Sequence, residues 1–174
     1  MLSRLAYRTR QFRNALFSAR PQVETQAIFP PLTSAQVALF RRMQPSEQAH
    51  AHLVFQRLRD AGQTDPDLLT AALLHDVGKI LHPLSIFERA IIVVGKRLFP
   101  QAARRWGSGI PRGLRRPFVV AENHAAWGAD LAEQAGASPL AVELIRCHQD
   151  ALVPGADSPI GPLLAALQAA DDEN

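Results

Sequence analysis

The heptapeptide Leu73-Leu74-His75-Asp76-Val77-Gly78-Lys79 limits what this chain can become. It sets an imidazole and a carboxylate side by side where an apolar run meets a glycine. Adjacent His and Asp can offer one nitrogen and one oxygen to the same divalent cation. The dipeptide alone also occurs at ordinary solvated helix ends, so its meaning depends on the rest of the chain. His50 lies upstream, and His124, His148 and Asp171 lie downstream, each on or at the end of a separate expected helix. A chain that uses these residues together has to bring several helices to one point.

Local signals divide the sequence into helices. Residues 1–20 set Leu2, Leu5, Phe12 and Leu16 among arginines. This amphipathic pattern reads as a packing helix, with an organellar transit segment or a helix lying on a membrane surface as alternatives. After Pro21 and Pro30-Pro31, Thr33 or Ser34 caps a short helix to about Met43, where Phe29, Leu32, Val37, Leu39 and Phe40 cover one end of the core. Pro45-Ser46 opens the next helix, with Ser46 as N-cap and Gly62 beyond its end. His50 falls near Leu53, Val54 and Leu58 on one face, and His52 is the alternative should the register differ. Asp65-Pro66 begins a buried helix that runs through Leu68, Leu69, Ala72 and Leu73 to the His-Asp pair, where Gly78 lets the backbone turn sharply.

Ser85-Ile86-Phe87-Glu88 is a capping box for a helix to Phe99, stopped by Pro100, with Ile86, Phe87, Ala90, Ile91, Val94 and Leu98 as a core-facing stripe. Residues 101–116 combine Gly107, Gly109, Gly113 and Pro111 with five arginines and read as an insertion or lid. Phe118, Val119 and Val120 lead into a helix that carries His124 and ends at Gly136, and Gly128 would let another backbone approach closely. Ser138-Pro139 caps the helix ending near His148, and Cys147 beside it reads as core. A short helix over 162–170, with Leu163, Leu164 and Leu167 buried, leads to Asp171, with Asp172 as the one-residue alternative. No convincing run of alternating strands appears. The expectation is an all-α, single-domain helical bundle with ligands projecting inward, residues 1–45 forming a helical extension and residues 46–174 the ligand-bearing domain.

Composition agrees with a globular domain: 174 residues, 47% hydrophobic and 20% charged. The single cysteine excludes an internal disulfide, and no apolar run reaches membrane-spanning length, so a cytoplasmic location is expected. The net charge is only +3, but the bases are clustered. Arg4, Arg8, Arg10, Arg13 and Arg20 precede the first acid, and Lys96, Arg97, Arg104, Arg105, Arg112, Arg115 and Arg116 form a second run without one. Such clusters favour phosphates, nucleic acid or anionic lipid, or form a solvated face. No clear nucleic-acid motif, Gly-rich phosphate loop, nucleophile elbow or paired-cysteine zinc pattern accompanies them.

The ordered set of His50, His75-Asp76, His124, His148 and Asp171, in the contexts Gln48-Ala49-His50-Ala51-His52, Asn123-His124-Ala125-Ala126-Trp127-Gly128, Ile145-Arg146-Cys147-His148 and Gln168-Ala169-Ala170-Asp171, resembles the HD-domain metal-dependent phosphohydrolases over residues 46–172. It looks like the subset with two additional histidines that hold a second metal. The resemblance implies a helical bundle of the HD-domain type, two divalent cations (Fe, Mn or Zn) on these six residues, Asp76 bridging, and a metal-activated water attacking a phosphoester. With one metal the set shrinks to His50, His75, Asp76 and Asp171. Asp76 and Lys79 would be the catalytic pair, with Lys79, Arg112, Arg115 and Arg116 meeting substrate phosphate. Lys79 also stabilises a helix C-terminus.

The implied substrate is a small phosphorylated compound, a nucleotide or polyphosphate. The layout is similar to that of HD-family hydrolases of symmetric dinucleoside polyphosphates. The absence of a Gly-Tyr-Pro motif after His148 argues against the cyclic-dinucleotide branch, and Gln149 stands where several relatives have a second His. The alternatives are a regulatory module that binds metal or nucleotide without turnover, and a di-iron oxygenase. Weak membrane-surface contact by residues 1–20 is an accompanying expectation, and the sequence sets no oligomeric state.

Overall fold

A computed structural model describes residues 32–150 and 160–172, and every regular element among them is helical. Eight α-helices follow one another: α1 Ser34–Phe40, α2 Pro45–Asp60, α3 Pro66–Leu74, α4 Ile86–Leu98, α5 Pro100–Trp106, α6 Arg116–Gln134, α7 Pro139–Cys147 and α8 Gly161–Asp172. Two 3₁₀ turns, Val77–Leu81 and Gly113–Arg115, precede α4 and α6. The amphipathic pattern of residues 1–20, Phe29 and the turn residues Pro154, Gly155 and Ser158-Pro159 lie outside the described residues.

α3 is the axis of the bundle. Asp65 caps it by accepting from the backbone N–H groups of Asp67 and Leu68, both at 2.9 Å. All seven residues at 68–74 are buried, so the helix is enclosed on every side by α2, α7 and α8. Each buried leucine contributes about 1.5–3 kcal/mol of transfer free energy. Leu39, Phe40 and Met43 at the end of α1 join Val54, Phe55 and Leu58 of α2 in the same core. Ser138 caps α7 and donates its hydroxyl to Asp67 at 2.6 Å, which ties the starts of α3 and α7 together.

Four local expectations are revised. The N-cap of α2 is Gln44 rather than Ser46: Pro45 occupies the first helical position, and Glu47 accepts from the Gln44 N–H at 3.2 Å. That register buries Glu47, Ala51, Val54, Phe55 and Leu58 and leaves Leu53 exposed. Gly78 does not turn the backbone through the left-handed region, which among the described residues only Gly62, Gly109, Gly113 and Gly136 occupy. Its requirement is steric: an added Cβ would meet the His124 carbonyl oxygen at 2.0 Å and the Gly128 nitrogen at 2.6 Å. The expected close approach at Gly128 is the other half of this contact, its own added Cβ lying 3.1 Å from the Gly78 nitrogen.

The third and fourth revisions concern 86–116. The stripe expected to face the core from α4 faces solvent instead, and Gly95 is the helix's one buried residue. The packed side is the glycine side, where an added Cβ at Gly95 would lie 2.5 Å from the Phe118 ring. The segment 101–116 is not loop throughout: α5 occupies its first part, Trp106 packs on Phe118 with centroids 5.0 Å apart, and Ile110 is exposed.

Candidate metal centre

Six side chains converge from five places in the fold: His50 from α2, His75 and Asp76 from the end of α3, His124 from mid-α6, His148 from the end of α7 and Asp171 from the last turn of α8. The close glycine contact brings α6 and the 3₁₀ turn together, setting His124 beside Asp76 with Nε2 3.2 Å from Oδ1. α8 is held to α2 by Arg57, which donates to the Ala170 carbonyl at 3.0 Å, and Gln168 donates to the carbonyls of His148 and Asp150. Those bonds deliver Asp171, whose Oδ1 lies 2.9 Å from His50 Nε2. Asp172 is exposed, and His52 stacks on Phe55 away from the group.

The donors fall into two adjacent triads, His50 with His75 and Asp171, and Asp76 with His124 and His148. Asp76 lies between them. Its Oδ2 is 3.7 Å from His75 Nε2 and 3.9 Å from His50 Nε2, while its Oδ1 faces His124. The rings of His75 and His148 meet edge to face at 5.1 Å, and those of His124 and His148 at 5.3 Å.

Backbone carbonyls set the tautomers. His75, His124 and His148 place Nδ1 at 2.9, 3.1 and 2.8 Å from the carbonyls of Ala72, Val120 and Ile145. A carbonyl only accepts, so each Nδ1 carries the proton and each Nε2 turns a lone pair inward. His50 Nε2 lies 3.1 Å from the His75 lone pair and 2.9 Å from Asp171, so in the metal-free protein it carries the proton those two acceptors share.

Burial and neighbouring charge fix the protonation states. Burial lowers the pKa of His75. Burial, then the neighbouring His75 and His124, lower His148 to about 3. Burial on its own would raise the Asp76 carboxyl, but opposing charge, first the Lys79 ammonium at its Oδ2, outweighs it and holds that group well below the usual range. Burial likewise opposes ionisation of Asp171, yet the hydrogen bond from His50 brings it down to about 2. At neutral pH the centre is therefore a concentration of buried acceptors with few donors. Among the described residues His124 Nε2 has no hydrogen-bond partner, facing a carboxylate oxygen with a lone pair of its own. An orphaned acceptor of this kind is costly unless a cation lies among the donors, and a nitrogen–oxygen donor set fits a divalent transition metal.

His50, Lys79 and Asp171 are partly exposed, whereas His75, Asp76, His124 and His148 are buried, so the centre opens to solvent on the His50 side. Lys79 Nζ lies 2.6 Å from Asp76 Oδ2. Arg116 is engaged by Glu88 and by the Pro83 carbonyl, and the exposed side chains of Arg112 and Arg115 make no ion pair among the described residues. Sequence reasoning missed Glu47 and Arg89. Glu47 is buried on the α2 face that carries His50, paired with Arg89 at 2.9 Å, and its carboxyl is raised by burial against the opposing charge of Lys79. The available signal was an acid at the spacing of the apolar stripe. His82 is half-buried against Trp127.

Residues 38–173 match the family model for the HD domain. Comparison with curated proteins and with solved structures gave no match.

Proposed function

The chain belongs to the HD-domain family, and from that premise we propose that it is a metal-dependent phosphohydrolase acting on a small phosphorylated substrate. The observation that carries this reading is the pairing of two three-donor groups with the oxygens of Asp76 directed towards both. In this reading His50, His75 and Asp171 would hold one divalent cation and His124 and His148 a second, with Asp76 able to serve both. Fe, Mn or Zn suits the donors. When bound, such cations lower the pKa of a water and offset the charge of phosphoryl oxygens.

The protein's own part is preorganisation. The Nδ1 bonds to Ala72, Val120 and Ile145 hold three rings in the ligating tautomer, so no proton has to leave them on loading. Lys79, at the open side, is the first cation a substrate phosphate meets, and Asp76 keeps its ammonium oriented. Arg112 and Arg115 are the further cations for a polyphosphate chain, while Arg116 is already committed to Glu88.

Elemental analysis of protein purified without chelator tests the reading, alongside turnover of a panel of nucleotides, dinucleoside polyphosphates and phosphoesters. Two metals per chain are expected, falling in His124→Ala and His148→Ala, with hydrolysis abolished in Asp76→Ala. One metal, unchanged in both histidine variants, would reject the dinuclear centre. Full activity in Asp76→Ala would reject the mechanism.

A further inference from the structure

α4 is amphipathic in the wrong sense for a core helix. At about 100° per residue, Phe87, Ile91, Val94 and Leu98 fall within roughly 60° of one another, Ile86 and Val93 widen the arc, and Arg97 is the one polar side chain within it. Phe87 is 83% exposed and Leu98 62%. Of the eleven large apolar side chains exposed among the described residues, nine lie between 86 and 114, ending in Leu114 at 92%. Apolar exposure scattered singly over a surface needs no explanation, but this concentration does.

The unpaired charge along this stretch of chain has one sign. No acid occurs between Glu88 and Glu122, and Lys96, Arg97, Arg104, Arg105, Arg112 and Arg115 are all exposed and form no ion pair among the described residues. The two remaining bases of the run, Arg89 and Arg116, are taken up by Glu47 and Glu88. An occupant must therefore present apolar matter behind a layer of negative charge. The chain's own residues 1–20 do not match, since they carry Arg4, Arg8, Arg10, Arg13 and Arg20 and no acid. A second copy of the same face would set bases against bases.

We propose that α4 and the segment following it to Leu114 form a docking surface for an anionic lipid bilayer, with Phe87, Ile91, Val94 and Leu98 entering the headgroup boundary and the flanking bases meeting lipid phosphates. The helix lies in the interface plane and does not span, as expected for a short helix with apolar and basic flanks. The contacts that carry the inference are those of α4 with Lys96 and Arg97, so it rests neither on the metal centre nor on Arg112 and Arg115, which the proposed function gives to substrate.

The test is flotation of the full chain with vesicles of phosphatidylcholine alone and of equal parts phosphatidylcholine and phosphatidylglycerol. Binding at least tenfold stronger to the anionic vesicles is expected, weakening at 0.5 M salt as charges are screened. Phe87→Ser with Leu98→Ser, at exposed positions, lowers binding tenfold or more. Lys96→Gln with Arg97→Gln lowers it roughly twenty-five-fold, at about fivefold per charge. Denaturation midpoints equal to the parent's show that both variants are folded. No binding to either vesicle, equal binding to both, or undiminished binding in both double variants would overturn the proposal, the last by assigning attachment elsewhere in the chain.

Discussion

Gly78→Ala tests how the centre is assembled. A methyl group at Gly78 would lie 2.0 Å from the His124 carbonyl oxygen and 2.6 Å from the Gly128 nitrogen, both backbone atoms, whereas ordinary contact begins at 3.4 Å. No flexible side chain can move aside, so α6 has to retreat from the 3₁₀ turn by roughly 1.4 Å, in an interior packed as closely as a crystal. Overpacking of this kind costs about 1–3 kcal/mol, and unyielding backbone on the far side puts this case at the upper end. For a chain of this size about 3 kcal/mol lowers the melting temperature by roughly 6–12 °C. The same retreat separates His124 from Asp76, now 3.2 Å apart, so metal affinity should fall although no donor has been changed. The assays are urea denaturation of chelator-treated protein and metal titration of the variant. Gly136→Ala is the control, with a positive φ of 75° but nothing near its Cβ, so its cost comes from backbone conformation alone and its metal affinity is that of the parent. If Gly78→Ala changed stability by less than about 0.5 kcal/mol and metal affinity not at all, the close approach would not be what positions α6.

In chelator, stability should fall by about 2 kcal/mol between pH 7 and pH 5, because the unfolded chain takes up a proton on His148 near 6.5 that the folded protein refuses until about 3. Below about pH 4 the depressed Asp76 and Asp171 add to the loss, whereas the raised Glu47 makes its opposing contribution earlier, as pH falls from its raised pKa to the unfolded value of 4.5; a urea midpoint that stays flat or rises on acidification would contradict this. Arg57→Ala removes the bond to the Ala170 carbonyl and should cost about 2 kcal/mol while weakening the metal site through Asp171, and unchanged melting and metal content would refute that role. Burial first, with Glu143 beside it, pushes the Cys147 thiol up to about 12, so disulfide-reagent labelling at pH 8 should be on the order of a hundredfold slower in the folded protein than in urea, and equal rates would show the thiol to be open.

Much of this protein is decided locally, and local chemistry is legible in a sequence. Thr33, Asp65, Ser85 and Ser138 cap the helices they precede because a side-chain oxygen two or three residues ahead of a free N–H needs no distant partner. The His-Asp pair at the end of a wholly buried helix, the residues beyond it in their order, and the all-helical class follow from the same short-range signals and from the family resemblance. What depended on distant neighbours was not written in any one segment. The N-cap at Gln44 shifted the face of α2 and drew Glu47 inside, where Arg89, 42 residues away, pairs with it. The sorting of six donors into two triads was decided by the glycine contact between the 3₁₀ turn and α6 and by the bonds holding α8 to α2. The direction of α4 was decided in the same way. Periodicity defines an apolar stripe but not which way it turns, because that is set by what packs on the opposite side. Here Phe118 fills the space at Gly95, and the apolar face is left to the solvent.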